Sequence, residues 1–229
     1  MRFVSGAEAK PYYETVSWRG VWPEFLMHDA IANRYWGRLE VDFPDFQFLL
    51  VDGDRIVAEG NCVPVCGMPA QWRDAILDAF EGGGVADRVC ALAIVISRDA
   101  QGSGLSSRML AHMREVAARF GTLVAPVRPT KKSEHPHMPI DEYAALRRED
   151  GTRVDPWLRT HERAGGTILG TAEGAMLIEG TREEWQEWTG LELLEDGEAI
   201  VPEALVPVRF ERGHGVYREP CVWVEHRIP

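Results

Sequence analysis

At 229 residues, with 45% hydrophobic and 27% charged positions, the chain holds enough apolar material for a buried core and is not a disordered polymer. A formal net charge of −11 argues against nucleic-acid binding, which rewards clustered Lys and Arg, and would suit a cationic substrate. No run reaches membrane-spanning length, the opening residues lack the apolar core of a signal peptide, and four cysteines (Cys62, Cys66, Cys90, Cys221) are too few for a disulfide framework, so no membrane, reduced thiols and a cytoplasmic setting are expected.

A helical stretch is predicted over residues 23–39, with Pro23 suited to its first turn. Residues 46–51 read as a strand, and Asp52-Gly53-Asp54 signals a hairpin to a second strand over 55–65. A short amphipathic helix over 71–80 is stopped by Gly82-Gly83-Gly84. The continuous apolar run 89–96 reads as a strand covered on both faces. A turn follows, then a helix whose stripe is Leu105, Met109, Met113, Val116 and Phe120, ended by Gly121. An apolar strand over 123–127 completes a strand–helix–strand unit.

Beyond it come a polar loop over 128–138, a short helix over 140–148, and a helix opened by Asp155-Pro156 in the cap-then-proline manner. A strand over 167–178 precedes a capping box, Thr181 to Glu184, which opens a helix carrying Trp185 and Trp188. Residues 204–228 read mostly as strand, with turns over 213–215 and near Pro220. The alternation argues for an α/β layered fold.

The sharpest motif joins the buried strand to the long helix: Gln101-Gly102-Ser103-Gly104-Leu105-Ser106. Glycines allow positive φ and close backbone approach. The opening turn of a helix offers unpaired N–H groups at its positive end, so the two together make a cradle for a pyrophosphate. A dinucleotide fold would want a third glycine where Ser107 stands, and an acid ending the next strand where Pro126-Val127-Arg128 stands. A P-loop is excluded, since no Gly-Lys-Ser/Thr is present.

The segment from Ala93 through Arg98, Gln101 and Gly104 to Ser106 resembles the acyl-CoA-binding motif of the GNAT superfamily, Gln/Arg-x-x-Gly-x-Gly/Ala after a hydrophobic strand. Gln101 and Gly104 match. Ser106 replaces the usual Gly or Ala, and Arg98 stands where Pro is frequent. By order of elements the resemblance covers residues 45–178. It implies a mixed central sheet with splayed parallel strands flanked by helices, a core over 1–180, and an extension over 181–229 packed on the same domain. Acetyl-CoA or another acyl-CoA would be the co-substrate. Backbone amides from Gly102 through Ser103, Gly104, Leu105 and Ser106 to Ser107 would hold its pyrophosphate, and its arm would run beside Ile94, Val95 and Ile96. Strand amides would polarise the thioester carbonyl.

The implied reaction is direct acyl transfer to a small-molecule amine or peptide acceptor in a ternary complex. A non-catalytic acyl-CoA-binding module and a nucleotide-cofactor oxidoreductase are the alternatives. The family often places a Tyr, four residues before a Gly, to protonate the leaving thiolate. His161, in His161-Glu162-Arg163-Ala164-Gly165, falls on that position, and it also reads as a packed core histidine. Tyr143 is a second candidate acid. Glu59 and Asp87 are candidate bases, though each reads more readily as an ordinary surface carboxylate. Arg128, Lys131 and Lys132 could pair with CoA phosphates, with a solvated loop as the plain reading of Lys132. His135 and His137 lack the partners of a metal site. Trp185 and Trp188 could line an acceptor pocket or simply pack. Tail strands could pair between subunits in a homodimer.

Overall fold

The computed structural model describes residues 1–13, 20–192 and 195–229. The chain opens with strand β1 (Arg2–Ser5) and helix α1 (Gly6–Tyr13), which the sequence reading did not anticipate. The stretch expected as one helix over 23–39 is broken. A 3-10 turn (Glu24–His28) leads to α2 (Ala30–Tyr35), a second 3-10 turn (Trp36–Arg38) and α3 (Leu39–Asp42). Asp29 causes the break. Its backbone is extended (φ −67°, ψ 121°), and its Oδ1 accepts the N–H groups of Ile31 and Ala32 at 3.0 and 2.9 Å, capping α2. Its Oδ2 accepts from the Leu177 N–H at 3.0 Å, which ties the helix start to a distant strand.

β2 (Gln47–Asp52) and β3 (Arg55–Val65) form the expected hairpin, with Gly53 at φ +60° in the turn. After α4 (Trp72–Glu81) come β4 (Arg88–Ile96), α5 (Leu105–Val116) and β5 (Thr122–Val127). Met109, Leu110 and Met113 of α5 are fully buried, each side chain contributing roughly 1.5–3 kcal/mol by leaving water. The later elements are α6 (Ile140–Ala145), α7 (Pro156–Arg163), β6 (Thr167–Thr181), α8 (Arg182–Thr189), β7 (Gly197–Ala199), β8 (Val208–Glu211) and β9 (His214–Arg227). The capping box at Thr181 forms as read.

Among the described residues the strands make one nine-stranded sheet in the order β1-β2-β3-β4-β5-β9-β8-β7, with β6 paired to β9. β4 and β5 run parallel and the other pairs antiparallel. The tail thus enters the same sheet through β9, which pairs with both β5 and β6. The turn expected near Pro220 is absent, because β9 runs straight through it. The β6 register shifts between Ala172 and Met176, which face Cys221 and Glu219. Pro220 sits at that irregularity, where its missing N–H breaks no ladder bond.

Alternate residues of the central strands bury on opposite faces. Cys90, Leu92 and Val124 pack with Trp72, Ile76 and Tyr35 on the side of α2 and α4. Val89 and Leu123 pack with Met109, Leu110 and Met113 of α5 on the other. The C-terminal elements bury a third cluster around Trp185, Phe25, Phe210 and Tyr217.

Candidate active site

The turn after β4 has the geometry of an anion cradle. Gly102 and Gly104 take φ +75° and +81°, which side chains rarely adopt, and a Cβ added at either would meet no atom within 4 Å. Gly104 caps α5 with no side chain bonded to the first turn, so the N–H groups of Leu105, Ser106 and Ser107 remain available. Gln101 reaches back to the Ile96 carbonyl at 3.4 Å, and the Ser103 hydroxyl is turned to the Ala100 carbonyl.

The central sheet opens beside this turn. β4 and β5 pair only at Val89–Leu123 and Cys90–Val124, then diverge. Next to the divergence the β3–β4 register shifts between Asn61 and Cys62, which face Ala93 and Ala91, leaving Leu92 as an extra residue. Such a bulge raises the local twist and turns a strand away from its neighbour. The Leu92 carbonyl accepts from the Trp72 indole N–H at 2.9 Å instead of from a strand.

Two cavities meet at the opening. One, of about 570 Å³, lies on the α5 face and is lined by Ile94, Ile96, Gln101, Gly102, Gly104, Leu105, Ser106, Ser107 and, across from them, Trp157 and His161. The other, of about 290 Å³, lies on the α2 and α4 face and is walled by Trp22, Trp36 and Trp72 with Met27 and Met176. Its polar residues include Asn33, Glu59, Asn61, Arg128 and Glu219. Trp22, Leu92, Ala93, Val95, Pro126 and Arg128 line both.

Ten cradle and arm residues were expected from the sequence. Nine of them line the larger cavity; Ser103 does not. Glu59 is no surface carboxylate: it is 6% exposed, lines the smaller cavity, pairs across the strands with Val95, and accepts from Asn61 Nδ2 at 2.9 Å. Asp87 is exposed, bonded to Arg88 and the Gly67 N–H, and its carboxyl is held well below the usual range, Arg88 being the main cause. It lines neither cavity.

His161 lines the larger cavity, but its Nδ1 lies 2.9 Å from His226 Nε2. Burial, and then His226, pushes its pKa down to about 3. The ring is therefore neutral, and the imidazolium expected to protonate the thiolate is not formed near pH 7. Tyr143 lines neither cavity: it is 1% exposed, donates to Asp155 Oδ2 at 3.1 Å, and burial raises its pKa. Lys132 is buried rather than solvated, donating to the carbonyls of His135 and Leu205 at 2.7 Å each. Arg128 is committed to Glu219, at 3.0 and 3.1 Å, rather than to the phosphate turn. Trp185 and Trp188 line neither cavity; Trp185 is fully buried and donates to the Gly215 carbonyl at 3.1 Å.

Of the residues lining the smaller cavity, Trp22, Trp36, Trp72, Asn61 and Glu219 were missed as site residues by the sequence reading. Each is unremarked in its own segment, and only the folded chain brings together segments so far apart in sequence.

No family model matches the chain. An arginine N-acetyltransferase of Aspergillus versicolor, avaD, is 32% identical over 269 aligned residues, spanning 97% of this chain and 92% of that protein. Among solved structures, the loading GNATL domain of CurA from Lyngbya majuscula superposes with TM-score 0.63 at 20% identity, over 99% of this chain and 98% of that one. The GphF GNAT-like decarboxylase, in complex with isobutyryl-CoA, superposes with TM-score 0.58 at 14% identity over the whole of both chains. These two share the fold; the curated relative carries the family. The motif, the parted strands and the relative agree that the chain belongs to the GNAT family and is an enzyme that moves an acyl group from acyl-CoA to an amine.

Proposed function

We propose that the enzyme transfers an acetyl group from acetyl-CoA directly to an amine of a cationic, arginine-like acceptor, with both reactants bound at once. The single observation that carries this reading is the meeting of two cavities through the opened sheet, one beside the phosphate turn and one walled by tryptophans. The pyrophosphate would bind the amides of Gly102 to Ser107, and the arm would lie between β4 and β5 beside Ile94, Val95 and Ile96.

Charge and aromatic surface favour a cation in the smaller cavity. Arg128 and Glu219 pair with each other, and Glu59 adds a further carboxylate to the same lining. Trp22, Trp36 and Trp72 offer faces to a guanidinium or ammonium. Asn61 Oδ1 is buried with no hydrogen-bond partner among the described residues and can accept from such a group. Glu59, opposite Val95, would take the proton from the attacking amine. The relative named for arginine supports the same class of acceptor. Free cysteines, three of them buried, support a cytoplasmic setting.

Calorimetry with CoA and an acceptor screen reading released thiol test the assignment. Gly104→Arg, strained at φ +81° and filling the cradle, should abolish CoA binding. Arginine should release CoA and citrulline, its uncharged isostere, should not. Undiminished CoA binding by Gly104→Arg, or equal turnover of the two acceptors, would refute the respective half.

A further inference from the structure

Acyl transfer creates negative charge twice, on the carbonyl oxygen during attack and on the sulfur as it leaves. Both atoms lie where the acyl-CoA meets the amine. On the reading above, that is the zone common to the two cavities. Of the six residues there, five are uncharged and the sixth is Arg128.

Arg128 follows the last residue of β5, on the strand that diverges from β4. Its guanidinium is held from two sides. Nε donates to both Glu219 oxygens, and Nη2 donates to the Glu203 carbonyl at 2.5 Å. Glu219, 3% exposed, is itself fixed by the Tyr217 hydroxyl at 2.9 Å. Among the described residues Nη1 takes no partner, so one arm of an anchored cation keeps its two N–H donors. Burial opposes the charge, but Glu219 together with Tyr217 and Glu203 more than offsets it, and Arg128 stays protonated.

Among the described residues, neither candidate acid serves as a proton donor for the sulfur. His161 is neutral and hydrogen-bonded to His226, and Tyr143 lies elsewhere. A fixed cation removes the need for one, because it stabilises the thiolate as an anion.

We propose that Arg128 is a catalytic residue of the transfer, its guanidinium stabilising first the carbonyl oxyanion and then the departing CoA thiolate. This rests on the acyl-CoA placement proposed above. The amine lone pair forms the N–C bond while the carbonyl π pair moves to oxygen. The ammonium proton passes to Glu59. Collapse re-forms the carbonyl and breaks the C–S bond, whose electron pair leaves on sulfur beside Arg128. The thiolate then takes a proton from solvent, and Glu59 returns its own to solvent.

The thiol of enzyme-bound CoA reports the charge directly. Difference absorbance of the thiolate would be followed against pH for CoA bound to the wild type, Arg128→Lys and Arg128→Gln, with affinity measured by calorimetry. The wild type should ionise bound CoA at least one pH unit below free CoA. Arg128→Lys should keep part of that shift and Arg128→Gln none, with CoA affinity within a few-fold of wild type. Turnover of Arg128→Gln should fall about 10²–10³-fold with the KM for acetyl-CoA little changed. If Arg128→Gln does not fold, Arg128→Gln/Glu219→Gln removes both charges together and is read in the same way. A wild-type complex whose thiol titrates like free CoA, or a shift that survives in the Gln variants, would overturn the role of Arg128 while leaving the cradle intact. Absence of CoA binding by the wild type would instead defeat the underlying placement.

Discussion

Lowering the pH from 7 to 5 should destabilise this fold through two histidines. His161 and His226 are 2% and 0% exposed and bonded ring to ring. Burial lowers both, helped by His226 for the first and by Arg114 for the second, to about 3 and about 4 from an ordinary 6.5. The folded rings stay neutral at pH 5, whereas the unfolded chain protonates both. The unfolded state therefore binds more protons, and native stability falls as pH drops below the unfolded value. Each unit below it costs about 1.4 kcal/mol per ring, so the step from 7 to 5 removes about 2 kcal/mol per ring and about 4 for the pair. Urea unfolding at both pH values would measure this in the wild type and in His161→Leu/His226→Leu. The wild type should lose about 4 kcal/mol more than the double variant over the same interval. Equal losses would show that the rings are not held neutral, and would restore His161 as a candidate proton donor.

Three further outcomes follow from the site and its supports. Glu59→Gln keeps the shape and the Asn61 contact but removes the proposed base, so kcat should fall about 10²–10⁴-fold while calorimetry shows acetyl-CoA binding unchanged. Asp29→Ala strips the cap of α2 and strands the Leu177 N–H, costing roughly 2–4 kcal/mol by urea unfolding. It should also raise the acceptor KM, because Ala32, Asn33 and Trp36 of the cavity wall follow that cap. Glu219→Gln leaves the Arg128 guanidinium without its buried counter-charge and should cost about 3–5 kcal/mol, most of it recovered in Arg128→Met/Glu219→Leu.

The donor side of the site was legible because its signals are local. An apolar run made β4, two glycines at positive φ made the turn, and a stripe from Leu105 to Met113 made α5, all within 26 residues of chain, 88–113. The smaller cavity was not, because it is assembled from segments distant in sequence. Trp36 and Trp72 sit on ordinary amphipathic segments, and Glu219 lies beside a proline that reads as a turn. Asp29 reads as one acid in a helical stretch until its second oxygen meets the Leu177 N–H, 148 positions away. Lys132 reads as a loop cation, and its burial becomes tolerable once the Leu205 carbonyl, 73 positions on, joins that of His135. Periodicity cannot signal a partner so distant in sequence.

Where β4 and β5 part, beside the bulge at Leu92, a cavity lies on either side of a single sheet. With donor and acceptor placed as proposed above, each can come and go without crossing the path of the other. A covalent hybrid of donor and acceptor has no such freedom: entering from either side, it must pass one half through the gap between β4 and β5. Conjugate inhibitors of that kind should load slowly and, once threaded, dwell far longer than the affinity of either half would suggest.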